Sequence, residues 1–474
     1  MQTRILVPLI VACALFMENL DSTVLSTSLP AIAEDLGEDP ITLKLALTTY
    51  LLSLAVFIPA SGWLADRFGA RVVFRAAIIV FTAGSVFCAL SWSIGSLVAA
   101  RVLQGLGGAM MVPVGRLVVL RTIPKAELVS SLAWLTVPAL VGPVLGPPVG
   151  GFITTYFSWR WIFWINVPIG VLGVVLATLF IPDVRGDQQQ RFDTRGFFLS
   201  AVGLAALVTG STTMGLDVLP PAWVAAMLAI GATLLTGYVI HSRRAEHPIL
   251  DLTLLGVATF RGSLLGGSLF RIGIGAMPFL LPLMLQLGYD MTPFESGMTT
   301  FVGAIGAITM KFAAQPILRR FGFRTILVVN AGICAAFSAV PALYTENTPI
   351  VVIMTILLIG GLFRSLQFTS INAMAYSDID DERMSRATSL TSVVQQISLS
   401  LGISIGAISL ALSTAGKPAD AFTVSDFAPA FLVVGAISAL SIVVFRRLAA
   451  DAGTEVSGHR PEPRPDAITV ARER

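Results

Sequence analysis

Three charged side chains sit deep inside apolar stretches of this sequence, where an ionised group needs a partner or a polar cavity. Glu18 and Asp21 lie in the run from Ile5 to Leu29, and Arg101 lies in the run that follows Ser96. A spacing of three puts Glu18 and Asp21 on one helix face. An arginine keeps its charge at any working pH. A neighbouring arginine and burial act in opposite directions on a carboxyl's proton affinity. Such a pair can load and release a proton as its surroundings change; a static ion pair that fixes helix packing is the alternative. Gln104, one turn from Arg101, can hydrogen-bond a partner or a ligand, or serve as packing glue. Arg271 is a second arginine near the middle of a span. Arg364 and Arg116 lie nearer span ends, where such side chains snorkel.

These residues must be carried by membrane helices. The chain has 474 residues, of which 55% are hydrophobic and 12% charged, with mean hydropathy +0.82. Soluble domains carry roughly 25% charged residues, so the composition describes an all-α polytopic membrane protein. A spanning helix needs about 20 mostly apolar residues, and 14 such stretches are counted along the chain. The first is too long for a cleaved signal and is read as a retained helix. The net charge of +3 is spread out, which argues against nucleic-acid binding. Cys13, Cys88 and Cys334 are read as buried hydrophobes, and the three histidines form no metal-ligand cluster.

Alternate loops are basic: Arg67/Arg71/Arg75, Arg121/Lys125, Arg185/Arg191/Arg195, Arg243/Arg244, Arg319/Arg320/Arg324, Arg383/Arg386 and Arg446/Arg447. The intervening loops hold little more than Lys44, Arg160 and Lys417. The positive-inside rule makes the basic loops, and both termini, cytoplasmic. Asp21 is then about 10 Å and Arg101 about 7 Å from the outer ends of their helices, so the two can meet.

"RFGAR" at 67–71 returns as "RFGFR" at 320–324, in the same place if helices 1–6 match helices 9–14. Two halves about a central cavity is the logic of secondary transporters. The same offset carries Glu18 onto Arg271. Glu18 is therefore read as a second proton site, as an attractor of cationic substrates, or as a lock to Arg271 across the halves. The expected units are 1–182, a six-helix bundle; 183–248, a linker with two inserted helices; 249–447, a second six-helix bundle; and 448–474, a disordered cytoplasmic tail.

Several stretches resemble the 14-helix drug:proton antiporters of the major facilitator superfamily, the EmrB/QacA type, and within it the MdtD-like exporters of bacteria. They are "LDSTVLSTSLP" (20–30), "GWLADRFGARVVF" (62–74), "RVLQGLGGAMMVPVGR" (101–116), "GPVLGPPVGG" (142–151) and "WRWIFWINVPIG" (159–170). The sequence departs from the family at Glu18, an added acid, at Ser26-Thr27-Ser28, and at Arg319, which stands where the first half has Asp66. The resemblance implies the major facilitator fold, two six-helix bundles plus two inserted central helices. It implies a cytoplasmic gate formed by Gly62, Asp66, Arg67, Gly69, Arg71 and Arg116, in which Asp66 and Arg116 pair when the protein is open outward, against the inner end of helix 13. It also marks Gly142, Pro143, Gly146, Gly150 and Gly151 as the helix 5 motif of antiporters. On physical grounds the prolines there should bend the helix, while Gly105, Gly107 and Gly108 leave helix 4 bare for close packing.

The reading is a proton-coupled secondary transporter that exports small amphipathic or lipophilic compounds, multidrug efflux by alternating access, in a bacterial inner membrane. Asp21, Glu18 and Arg101 are its proton-coupling residues. Glu18, Gln104, Arg271, Met111 and Trp134 line its substrate cavity, with Met110, Phe163, Trp164 and Met277 as further contributors. The partners are a small-molecule substrate, protons and the lipid bilayer. No cofactor, metal or bond-breaking chemistry is expected. A monomer is expected, with accessory export proteins left open. The rivals are an exporter of one metabolite and a transport-inactive membrane sensor with the same fold.

Overall fold

The computed structural model describes residues 2–122, 128–182, 192–214, 219–449 and 451–454, and all regular structure among them is helical. Thirteen helices have the length and composition of membrane spans. Leu128–Tyr156, 29 residues without one charged side chain, is a further one. The chain is a multi-pass membrane protein with the expected number of spans. They are α1 (Gln2–Val24), α2 (Lys44–Phe68), α3 (Ala70–Ala89), α4 (Ile94–Thr122), α5 (Leu128–Tyr156), α6 (Asn166–Phe180), α7 (Thr194–Thr213), α8 (Pro221–Ser242), α9 (Ala258–Gly275), α10 (Pro293–Phe321), α11 (Phe323–Ala339), α12 (Ile350–Ala375), α13 (Asp381–Ser413) and α14 (Ala428–Phe445). A short helix, Trp161–Trp164, leads into α6. Pro168 lacks the N–H that would bond back across this break, so Asn166 opens a new helix there.

The repeat is structural. Gly69 alone joins α2 to α3 with φ 91°, and its N–H bonds the Ala65 carbonyl. Gly322 alone joins α10 to α11 with φ 70°, and its N–H bonds the Leu318 carbonyl. Both need the left-handed region that only glycine enters freely. The same register recurs deeper in each half. The bare surface of Gly108 on α4 faces Tyr50 of α2, and that of Gly361 on α12 faces Gly303 of α10.

The halves meet along two seams, α5 against α10 and α2 against α13. On the side opposite the basic loops one hydrophobic cluster runs through both halves, joining Leu20, Val24, Leu25 and Leu47 to Phe279, Leu280, Met284 and Phe431. Towards the basic loops each half has a cluster of its own, and a further cluster bridges the halves there, joining Leu52 and Ala55 of α2 to Phe260 and Leu264 of α9 and to Ala387 and Leu390 of α13. The face away from the basic loops is closed by the cluster that the halves share there.

Helix α7 packs against both α2 and α13, with Thr212 and Ser404 hydroxyls 3.1 Å apart, and α8 lies against α7. Asp193 caps α7 by accepting from the Gly196 N–H at 2.9 Å and sits 2.8 Å from His241 Nε2 of α8. The Tyr238 hydroxyl bonds both the N–H and the carbonyl of Leu250. One residue on, Asp251 accepts from Thr253 and lies 3.8 and 3.6 Å from Arg383 and Arg386 of α13. The insertion is thus tied to the second half.

Burial pushes the Asp251 pKa up, but the Thr253 donors and the two guanidinium groups pull it down further, leaving it below its ordinary value. A depressed carboxylate stabilises the fold above its unfolded pKa, about 4, and that contribution disappears as the pH falls through the folded value. Asp251→Asn should lower the unfolding temperature at pH 7 by about 1–2 °C. Wild type and variant should converge in thermal melts as the pH is lowered towards 3; a constant gap would sink this account.

Three expectations are corrected. Cys13, read as a buried hydrophobe, is exposed, whereas Cys88 and Cys334 are buried as expected. The tail does not leave the fold at 448. Leu448 is buried in the core of the second half, Ala452 packs against it, and Gly453 lies against Phe323. Residues 455–474 lie outside the described residues. Lys44, read as a loop residue, is fully buried at the start of α2, and its ammonium has no hydrogen-bond partner among the described residues.

Candidate functional site

Asp21 and Arg101 meet. Nη1 of Arg101 donates to Oδ2 of Asp21 at 2.6 Å, and both side chains are buried. The other carboxylate oxygen accepts from Gln104 Nε2 at 2.7 Å and Asn166 Nδ2 at 2.8 Å. Both of these amides also donate to Ser85 Oγ, at 2.7 and 3.0 Å. Arg101 donates in addition to Gln104 Oε1 at 2.6 Å and to the Ala46 carbonyl at 3.2 Å. Its guanidinium lies 4.2 Å from the Tyr50 ring centroid, a cation–π distance. Five helices of the first half contribute: α1, α2, α3, α4 and α6. Every group facing the carboxylate is a donor, which suits an ionised acceptor.

Local packing explains the placement. Gln104 crosses α3 at Gly84, where a Cβ would lie 2.6 Å from the Gln104 backbone. A Cβ on Gly105 would lie 2.5 Å from Ser53 of α2. Gly107 gives the same close approach to Phe81 of α3. The bare surface of α4 was expected, and it brings the Arg101 turn to the centre of the half.

Glu18 is buried one turn from Asp21. Its Cγ and the Tyr50 hydroxyl both come within 4 Å of the space over Gly108. Neither Glu18 Oε2 nor that hydroxyl has a hydrogen-bond partner among the described residues. The expected lock to Arg271 is not made in this conformation. Arg271 is fully buried, and Nη2 donates instead to Asn372 Oδ1 of α12 at 2.9 Å. Met111 and Met110 are packed in the core of the first half, so in this state they are core residues rather than cavity lining. Phe163 is buried with its ring 6.0 Å from the Arg101 guanidinium. Trp164 and Met277 pack partly buried against the cluster shared by the halves. Trp134 lies on α5 with its side chain outside the described residues.

The helix 5 motif divides its glycines between two partners. Gly142, Gly146 and Gly150 face α1 at Asn19, Thr23 and Val24. Gly151 faces the other half, its missing Cβ occupied by the Pro293 carbonyl of α10, while Gly297 of α10 receives the Pro147 carbonyl of α5 in the same way. Helix α5 continues unbroken through Pro143, Pro147 and Pro148. Gln286 Nε2 donates to the Thr27 carbonyl at 2.9 Å, and the Phe294 N–H donates to Thr155 Oγ1 at 3.0 Å, both between halves. On the opposite face, Gly62 and Arg116 are exposed and Asp66 is half-buried near the end of α2. Arg75 donates to Thr178 Oγ1 of α6 at 3.4 Å.

Tyr50, Ser85 and Asn166 were missed by sequence reasoning. Asn166 stood inside a quoted motif and was the one polar residue there outside its Trp-Arg-Trp opening, a usable signal. Ser85 and Tyr50 carry no spacing signal within their apolar spans.

A model of the Major Facilitator Superfamily matches residues 11–403. A protein of Pectobacterium atrosepticum that bears the provisional name multidrug resistance protein MdtD is 39% identical over 447 residues, covering 93% of this chain and 95% of that one. An Escherichia coli protein of the same name is 37% identical over 456 residues, covering 94% and 95%. The crystal structure of a D-xylose-proton symporter superposes with a TM-score of 0.67 at 14% identity, covering 94% of this chain and 98% of that one.

Proposed function

The chain belongs to the major facilitator superfamily, and from that premise we propose that it is a proton-coupled exporter of small amphipathic or lipophilic compounds, a multidrug efflux protein of the bacterial inner membrane. The observation that carries the reading is the buried Asp21 cluster, an acid held by Arg101, Gln104 and Asn166 directly beneath the seal between the halves. The relatives named as multidrug resistance proteins support the substrate class.

In this reading the basic loops and both termini face the cytoplasm. The bundles 1–182 and 249–447 rock about the central site as a monomer, and the proton gradient supplies the energy without a bound cofactor. The face closed by the shared cluster is then the outer one. Opening outward would expose Asp21 to protons, and re-sealing would return the acid to its donors. The Asp66–Arg116 contact would hold the cytoplasmic side shut in the outward-open state, with Gly62, Arg67, Gly69 and Arg71 shaping that loop. Gln104 and Glu18 would face the substrate from the first half and Arg271 from the second.

The test is proton movement in proteoliposomes under an imposed pH gradient, with a panel of lipophilic cations, anions and neutral compounds. Substrate-dependent proton flux is expected. Its absence for every compound, with folded protein verified, would remove the antiport reading.

A further inference from the structure

The charges inside the membrane do not all cancel. Asp21 is answered by Arg101. Arg271 of α9 is not answered: among the described residues it makes one hydrogen bond, to the neutral Asn372, and its Nε and Nη1 are buried without partners. A guanidinium cannot shed its proton to escape the cost. A charge taken out of water and left with one neutral acceptor is expensive, and intramembrane arginines are retained where a partner or a function repays them.

The surroundings are shaped for the guanidinium. Gly267, one turn back on the same helix, leaves the space where Nη1 lies, 2.8 Å from the position a Cβ would take. Phe368 of α12 sits with its ring 6.0 Å from the guanidinium carbon. Gly267 faces Ile371 of α12 and Gly275 faces Leu399 of α13. Arg271, midway between them, therefore lies on the strip of α9 that looks between α12 and α13. Asn372 is exposed, so the single contact holding the arginine sits at the edge of open space.

We propose that Arg271, with Asn372 and Phe368, is a subsite for an anionic group, a carboxylate, sulfonate or phosphate, on an otherwise amphipathic ligand. The ligand's apolar part lies against the Phe368 ring, and its anion takes the guanidinium from Asn372. This deepens the exporter reading and rests on it for the ligand being a transported compound. The matching position of the first half holds Glu18, so the two halves carry an acid and an arginine at equivalent places.

The experiment is equilibrium binding to the purified full chain in neutral detergent without a gradient, so a failure of proton coupling leaves its result intact. The probes are three matched dansyl compounds: dansylglycine, its neutral amide, and a dansyl amine. Hydrogen bonds to a charged group set the scale, so the carboxylate should bind about 10- to 100-fold more tightly than the amide. Arg271→Gln should erase that preference, and Arg271→Lys, which keeps the charge, should retain part of it. Fluorescence size-exclusion profiles confirm that each variant is folded. Equal affinity of wild type for carboxylate and amide, or a preference that survives Arg271→Gln, overturns the proposal. A repeat in nanodiscs separates the two sources of an anion. Loss of the carboxylate preference in phosphatidylglycerol but not phosphatidylcholine would assign the subsite to a lipid headgroup and overturn the substrate reading. A preference that appears only in Glu18→Gln would assign Arg271 to a lock with Glu18 and overturn it likewise.

Discussion

Asp21→Asn should reduce substrate-driven proton flux in proteoliposomes to the level of empty vesicles while the protein still folds. The amide carries the same charge as a protonated Asp21, the form the proposed cycle passes through, so the substitution imitates a state the proposal requires the fold to tolerate. Arg101 keeps the Ala46 carbonyl, Gln104 Oε1 and the Tyr50 ring after the carboxylate is gone, which cushions the loss of its counter-ion. The opposite truncation lacks that cushion. Arg101→Ala leaves a carboxylate buried beside two neutral amides, and removing one partner of a buried pair costs about 3–5 kcal/mol. Arg101→Ala should therefore unfold at lower temperature than Asp21→Asn, and the order of the two melting temperatures reads the asymmetry directly. Flux at the wild-type rate in folded Asp21→Asn would place the coupling proton elsewhere, with Glu18 the next acid to test.

The architecture was legible because long apolar runs and alternating loop charge report directly on membrane spans. The repeat was legible because a one-residue turn with positive φ tolerates little but glycine, so Gly69 and Gly322 stand at the same place in two otherwise divergent halves. Similar depth made a meeting of Asp21 and Arg101 possible, and the packing of α1 on α4 brings it about. Its remaining members did not follow. Asn166 reaches the carboxylate, and Ser85 the two amides that hold it, because α3 and α6 pack beside α1 and α4, and no spacing within one helix encodes that. The burial of Lys44 depends on Asp39, which caps the Ile41 N–H at 2.7 Å and turns the chain in before α2 begins. Met111 looked like cavity lining because methionine suits both cavities and cores; only the packing of α4 on its neighbours decides between them. The lock between Glu18 and Arg271, one of three roles left open for Glu18, is not made in this conformation, since a repeat aligns positions along helices and leaves the distance across the halves free.

Gly151→Val and Gly297→Val should each loosen the closure between the halves on the face away from the basic loops. The two glycines stand at the crossing of α5 and α10, each receiving a backbone carbonyl of the other helix where a Cβ would be. A carbonyl on a helix cannot swing aside like the end of a side chain, so the helices must separate. Inserting carbon atoms at a packed contact costs about 1–3 kcal/mol, and in the proposed cycle, in which the crossing opens as the halves rock apart, that cost falls on the sealed state alone. Effects on helix propensity are common to both states and cancel in the equilibrium. A ligand-free shift of about 5- to 150-fold follows. It can be read with a cysteine at Ile153, which packs partly buried against the cluster that closes this face, after Cys13, the exposed native thiol, is changed to Ser. Labelling by a membrane-impermeant maleimide from outside should accelerate in both variants. Gly237→Val on α8, where an added Cβ meets nothing nearer than Leu199 at 3.7 Å, should label at the parent rate. Unchanged labelling in all three would mean that the seal rests on the hydrophobic cluster around Leu25 and Phe279 and that the glycine crossing only accommodates it.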